Sequence, residues 1–146
     1  FEMDVARRTA ALARLTEFAE DRYLHQTVCQ QRDSGETEFF EDLPQALATV
    51  ARRDLAKEEW RIHFHVPLFA DDLGALMTTQ NAARACLAEF APSNGSWPGD
   101  DAPAELPHFE VETYAWGVLP ADLSAMELSE GISREMDWAV ECLRND

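Results

Sequence analysis

The stretch WRIHFHVPLF, residues 60–69, decides the predicted fold. Its apolar residues alternate with His63 and His65, and an alternation of period two predicts a β-strand with one apolar and one polar face. Two shorter stretches of the same kind, residues 23–28 and 108–115, predict a further strand before it and another after it. The chain therefore contains three predicted strands, each with one polar face.

Helices are predicted between these strands, because apolar residues recur there at helical spacing. Asp42 is a suitable N-cap for one of them, with Pro44 in its first turn. The four predicted helices cover residues 3–20, a segment that begins at Asp42, residues 78–90 and residues 129–143. Strands that alternate with helices predict an α/β fold of parallel βα units with right-handed crossovers.

Length and charge limit what the protein can be. Its 146 residues correspond to one domain, or to a fragment of a larger one, in which residues 91–107 form a proline-rich loop. The formal net charge is −16, and Lys57 is the single lysine. A nucleic-acid backbone would be repelled by this charge, so we expect no nucleic-acid partner. No apolar run is long enough to span a bilayer, so we expect no membrane insertion.

The three cysteines, Cys29, Cys86 and Cys142, are widely spaced and odd in number. This usage is typical of reduced thiols in a cytosolic protein rather than of a disulfide framework. The sequence therefore predicts a cytoplasmic location.

Histidine and glutamate occupy the polar faces of the predicted strands. His25 lies in the first strand, His63 and His65 in the second, and Glu110 and Glu112 in the third. Buried side chains of these types are costly unless they are paired or bind a metal. Imidazole and carboxylate together suit zinc, manganese or iron, so the pattern predicts a divalent metal site.

Structural interpretations of the same residues stay open. A lone strand histidine such as His25 is usually a satisfied core residue, and an HxH or ExE pattern also fits a half-exposed strand face. Tyr114 and Trp116 follow the third strand, where an aromatic ring could stack on a sugar or simply pack against the protein.

Two motifs resemble a known family. RIHFHVPLF (residues 61–69) together with HFEVETYAWGVLP (residues 108–120) resembles the end of the EboE-type metabolite traffic proteins. These belong to the xylose isomerase-like TIM barrels, which include sugar-phosphate isomerases and epimerases and endonuclease IV. The stretches RYLHQT (residues 22–27) and GISREMDW (residues 131–138) also fit. The resemblance implies that the chain is the C-terminal part of such a barrel, about three βα units.

The resemblance also implies roles for particular residues. It places a metal-binding histidine at His63, with His65 beside it and His25 one strand earlier, and a metal-binding glutamate at Glu112. In an isomerase or epimerase, Glu110 or Glu112 would move a proton beside the metal.

Three functions follow as expectations. The first is a metal-dependent sugar-phosphate isomerase or epimerase. The second is a non-catalytic protein that binds or moves a small metabolite in a retained barrel pocket. The third, a metal-dependent phosphodiester hydrolase like endonuclease IV, is disfavoured by the net charge of −16. Besides the metabolite, the candidate partners are a second copy of the chain, paired through open sheet edges, and the remainder of the barrel.

Overall fold

An antiparallel sheet organises the first part of the chain. The computed structural model describes residues 5–91, 108–113 and 116–144. The sheet contains β1 (Thr27–Gln31), β2 (Thr37–Phe40) and β3 (Glu58–Ile62), in the order β2-β1-β3. The central strand β1 pairs antiparallel with both neighbours.

The predicted parallel βα units, and with them the C-terminal part of a TIM barrel, are wrong. Residues 32–36 alone connect β1 to β2, with Gly35 at a φ of 73° in the turn. A crossover to a parallel strand needs a dozen or more residues, so this connection can only form a hairpin. The third predicted strand is also wrong, because residues 108–113 are not in a strand.

The predicted helices are confirmed within a few residues of their expected ends. Asp42 is the N-cap of the second helix, and its carboxylate accepts the N–H of Leu43. The proline-rich segment lies outside the described residues, apart from residue 91. The helices are α1 (Val5–Phe18), α2 (Leu43–Leu47), α3 (Gln80–Ala88) and α4 (Leu128–Arg144), with 3₁₀ turns at Val50–Arg52 and Trp116–Val118. None of the helices in the described ranges is long and apolar enough to cross a membrane.

The chain divides into two compact units. The first contains residues 1–65 and 74–76, and therefore the whole sheet with α1 and α2. The second contains residues 66–73 and 77–146, and therefore α3 and α4.

Arg53 holds the sheet of the first unit together. Its side chain is 8% exposed and lies 3.1 Å from the carboxylate of Glu58, which is 2% exposed. It also pairs with Glu38 on β2. The guanidinium lies 5.2 Å from the ring centre of Phe40 and 5.8 Å from that of Trp60. One side chain thus joins the two outer strands across the buried face of β1.

The second unit is built around the buried face of α4. Gly131, Glu135, Trp138 and Cys142 recur at intervals of four and three residues and are all buried. Gly131 lies so close to the indole of Trp116 that a Cβ there would overlap the ring. A glycine is therefore required at this point of the helix, although it weakens helices elsewhere.

We expect Arg53→Ala to lower the free energy of unfolding by about 3 kcal/mol, because the buried Glu58 carboxylate would lose its cation. The matched control is Arg61→Ala on β3, whose exposed side chain pairs with Glu59. This control should cost less than about 1 kcal/mol. Urea unfolding measures both variants, and equal losses would contradict the role given to Arg53.

We expect Gly131→Ala to destabilise the protein by about 1–2 kcal/mol, because the overlap with Trp116 outweighs the better helix propensity of alanine. Ser133→Ala is the control, since Ser133 is exposed on the same helix. That variant should be neutral or slightly stabilising. A rise in Tm for Gly131→Ala would show that the Trp116 contact does not constrain α4.

Candidate functional site

The antiparallel register of β1 and β3 gathers three histidines at one end of the sheet. Thr27 is paired with Ile62, and the N–H of His63 donates to the carbonyl of Gln26 over 2.9 Å. The residues just before β1 therefore lie opposite those just after β3. His25 accordingly lies against Phe64, with 5.1 Å between the ring centres.

His25 is buried between two carboxylates. The residue is 7% exposed. Its Nε2 lies 3.9 Å from Oε1 of Glu20, and its Nδ1 lies 3.7 Å from Oδ1 of Asp42. Both distances exceed hydrogen-bond length. Within the described part of the chain, the buried Nδ1 has no hydrogen-bond partner.

Backbone amides fix both carboxylates in place. Glu20 follows α1 and accepts the N–H groups of Arg22 and Tyr23 over 2.6 and 2.9 Å. Asp42 accepts the N–H of His25 and that of Leu43, each over 2.9 Å. Asp42 thus caps α2 and at the same time fastens the segment that enters β1.

His63 and His65 form a stacked pair beside this group. Their ring centres are 4.8 Å apart. Nδ1 of His63, whose side chain is exposed, lies 3.1 Å from Oε1 of Gln26. Because β3 ends at Ile62, neither histidine belongs to a strand. Both lie near enough to His25 to influence its titration.

Burial lowers the pKa of His25 below its ordinary value, and the neighbouring His63 and His65 act in the same direction. Glu20 and Asp42 oppose this shift without reversing it. His25 is therefore neutral at pH 7, which is the form in which an imidazole binds a metal ion.

The donor types of this histidine cluster, which consists of His25, His63 and His65 with Glu20 and Asp42, fit a divalent transition metal. Imidazole nitrogens and carboxylate oxygens are ligands of zinc, manganese and iron. Nδ1 of His25 has no hydrogen-bond partner among the described residues, so this nitrogen could gain a partner when a metal binds. Within residues 5–91, 108–113 and 116–144, however, no three such side chains already converge on one point. Binding would therefore require side chains to rotate.

Three further predicted site residues, Glu110, Glu112 and Trp116, belong to the second unit. Glu110 is 77% exposed and lies 3.0 Å from Nε2 of His108. Glu112 is also exposed. Trp116 packs against Gly131, which gives its ring a structural role. Tyr114 lies outside the described residues.

A polar cavity of about 450 Å³ lies elsewhere in the first unit. Cys29 lines this cavity, and burial raises the pKa of its thiol to about 11. The thiol is therefore protonated at neutral pH and is a poor nucleophile. The guanidinium of Arg53 already donates to Glu38 and Glu58. These charged groups therefore stabilise the sheet. The cavity is lined by Cys29, Gln31, Glu36, Thr37, Glu38 and Arg53.

Sequence reasoning did not include Glu20 in the site and treated Asp42 only as a helix cap. One signal for Glu20 was available: an acidic residue near the C-terminus of a helix, here two residues after α1, is disfavoured by the helix dipole. Its carboxylate is stabilised here by two backbone amides instead. The second role of Asp42 depends on a contact across 17 residues, which no local pattern reveals.

Comparison of the chain with protein-family models, with curated proteins and with solved structures gave no match. The resemblance to the EboE-type proteins therefore depends on the quoted motifs alone.

We expect the contribution of His25 to the stability of the metal-free protein to fall as the pH drops below about 6.5. The unfolded chain binds a proton at His25 more readily than the folded one, so this contribution is complete above that pH and is lost below it. Urea unfolding in the presence of a chelator, at about pH 7.5 and about pH 5.5, measures the change.

His25→Asn should make this pH dependence shallower. His108→Asn is the control, because His108 is 82% exposed and should contribute little. If the two variants change the slope equally, burial of His25 does not govern the acid sensitivity.

Proposed function

We propose that the histidine cluster of the first unit binds a divalent transition metal and that the protein handles a small metabolite. One observation carries the proposal: a neutral, buried imidazole lies between two carboxylates with its Nδ1 unpartnered among the described residues. A buried polar nitrogen without a partner costs about 1–3 kcal/mol, and a bound ion is one way in which such a cost is offset.

Histidines would supply the main ligands. His25 is fixed by its burial, whereas His63 and His65 lie beyond the end of β3, and the side chain of His63 is exposed. Rotation of either ring toward His25 would bring a second nitrogen to the metal. A bound metal would supply a Lewis acid that polarises an oxygen of the metabolite.

The resemblance to EboE-type proteins supports a metabolite as the ligand of the protein. Between the two metabolite functions, the placement of Glu110 favours binding over isomerisation. A general base needs a protected position beside its substrate. Glu110 is instead exposed and paired with His108.

The free thiols Cys29, Cys86 and Cys142 support a cytoplasmic location.

We expect the chelator-treated protein to bind about one Zn²⁺ or Co²⁺ per chain, as measured by isothermal titration calorimetry. A His63→Ala, His65→Ala double variant should bind at least about tenfold more weakly, because ligands are lost while the fold is kept. Circular dichroism confirms that the variant is folded.

The matched control is His108→Ala, which removes an exposed histidine of the second unit and should leave metal affinity unchanged. Absence of binding by the wild-type protein would refute the metal proposal. Equal affinities of the double variant and the wild type would place the metal elsewhere.

A further inference from the structure

The apolar surface of α4 is wider than the face that this helix buries. Beside the buried face runs a second row of apolar side chains, which we call the α4 ridge: Leu128, Ile132, Met136 and Val140. Side chains four residues apart on a helix are neighbours, so the row is continuous. Ile132 is half-buried, whereas Leu128, Met136 and Val140 are 41%, 55% and 40% exposed. The described part of the chain therefore leaves most of the α4 ridge open to solvent.

Acidic side chains line the α4 ridge toward the end of the helix. Asp137 and Glu141 each follow a ridge residue by one position, and both are exposed. Among the described residues, neither carboxylate has a cationic partner. The two carboxylates repel each other across one helical turn, and Glu141 lies in the last turn, where the helix dipole disfavours a negative charge. Residues that oppose the local structure in this way are expected at functional surfaces.

The arginines of the second unit do not neutralise this surface. The guanidinium of Arg134 lies 4.1 Å from the ring centre of Phe69, and that of Arg84 lies 5.1 Å from the ring centre of Trp138. Arg144 is the only other arginine in the sequence of this unit, which contains no lysine. The α4 ridge therefore belongs to a strongly acidic unit, and such a surface attracts cationic partners.

We propose that the α4 ridge docks a basic amphipathic helix of a partner protein. Apolar side chains of that helix, repeated at intervals of three and four residues, would pack against Met136 and Val140. Lysine or arginine side chains beside them would pair with Asp137 and Glu141, and the repulsion between the two carboxylates would be relieved. This interaction belongs to the second unit and does not depend on the metal site proposed for the first.

Charge favours this occupant over two others. A second copy of the chain also carries a net charge of −16, so the pairing of two ridges would bring like charges together. Helices that lie on a lipid surface are typically rich in lysine and arginine on their polar face. The row beside the α4 ridge instead contains Asp137 and Glu141. A cationic helix is thus the partner that complements both the apolar row and the acidic one.

Fluorescence anisotropy tests the proposal with a labelled peptide of about 18 residues that has leucines on one helical face and lysines on the other. The full chain should bind this peptide. A Met136→Gln, Val140→Gln variant should bind at least about tenfold more weakly, because the apolar anchors are lost. The matched control is Leu24→Gln, Met77→Gln, which replaces two exposed apolar residues outside α4 and should bind as the wild type does.

A second pair of variants tests the contribution of charge. Asp137→Asn, Glu141→Gln should weaken binding about tenfold and make the affinity less sensitive to salt. Asp71→Asn, Glu89→Gln removes two exposed carboxylates outside α4 and should change the affinity less than about twofold. The peptide with glutamate in place of lysine should not bind.

Circular dichroism confirms that each variant is folded. Equal binding by the wild type and the Met136→Gln, Val140→Gln variant would overturn the proposal, and so would absence of binding by the wild type. Sedimentation equilibrium of the chain alone tests for a second copy on the ridge, and phosphatidylcholine vesicles test for a lipid surface. Self-association or vesicle binding that the same variant abolishes would assign the α4 ridge to that occupant and overturn the proposal.

Discussion

The buried ion pair between Arg53 and Glu58 is the interaction on which the first unit depends. Glu58 lies at the first position of β3, and Arg53 reaches across to β2 through Glu38 and Phe40. A charge in this environment is tolerated only because its partners surround it. The pair therefore fixes how the outer strands lie against β1.

The same sheet determines the candidate site. Because β1 and β3 are antiparallel, the residue that precedes β1 meets the residues that follow β3. His25 and the 63/65 pair are thereby brought together, although 38 residues separate His25 from His63 in the sequence. Asp42 adds a second link, because its carboxylate binds the amide of His25 and caps α2. The pairing of the strands therefore determines where the residues of the candidate site lie.

The sequence predicted the helices well, because the N-cap Asp42 and the apolar spacing of α4 are local signals. The sheet was predicted poorly. The alternation in residues 60–69 continues past the real strand, which ends at Ile62 where β1 offers no further partner. No strand was predicted at the position of β2, so the hairpin was missed and the strands were assigned as parallel. Pairing partners are a tertiary property that periodicity does not encode.

X-ray absorption spectroscopy of the Zn²⁺-loaded protein tests the central claim most directly, because it identifies the atoms bound to the metal. The account predicts a shell of nitrogen and oxygen at about 2.0–2.1 Å, with the outer-shell scattering of imidazole rings. A sulfur contribution at about 2.3 Å would place the metal on a cysteine and contradict the account. A shell without imidazole scattering would also contradict it.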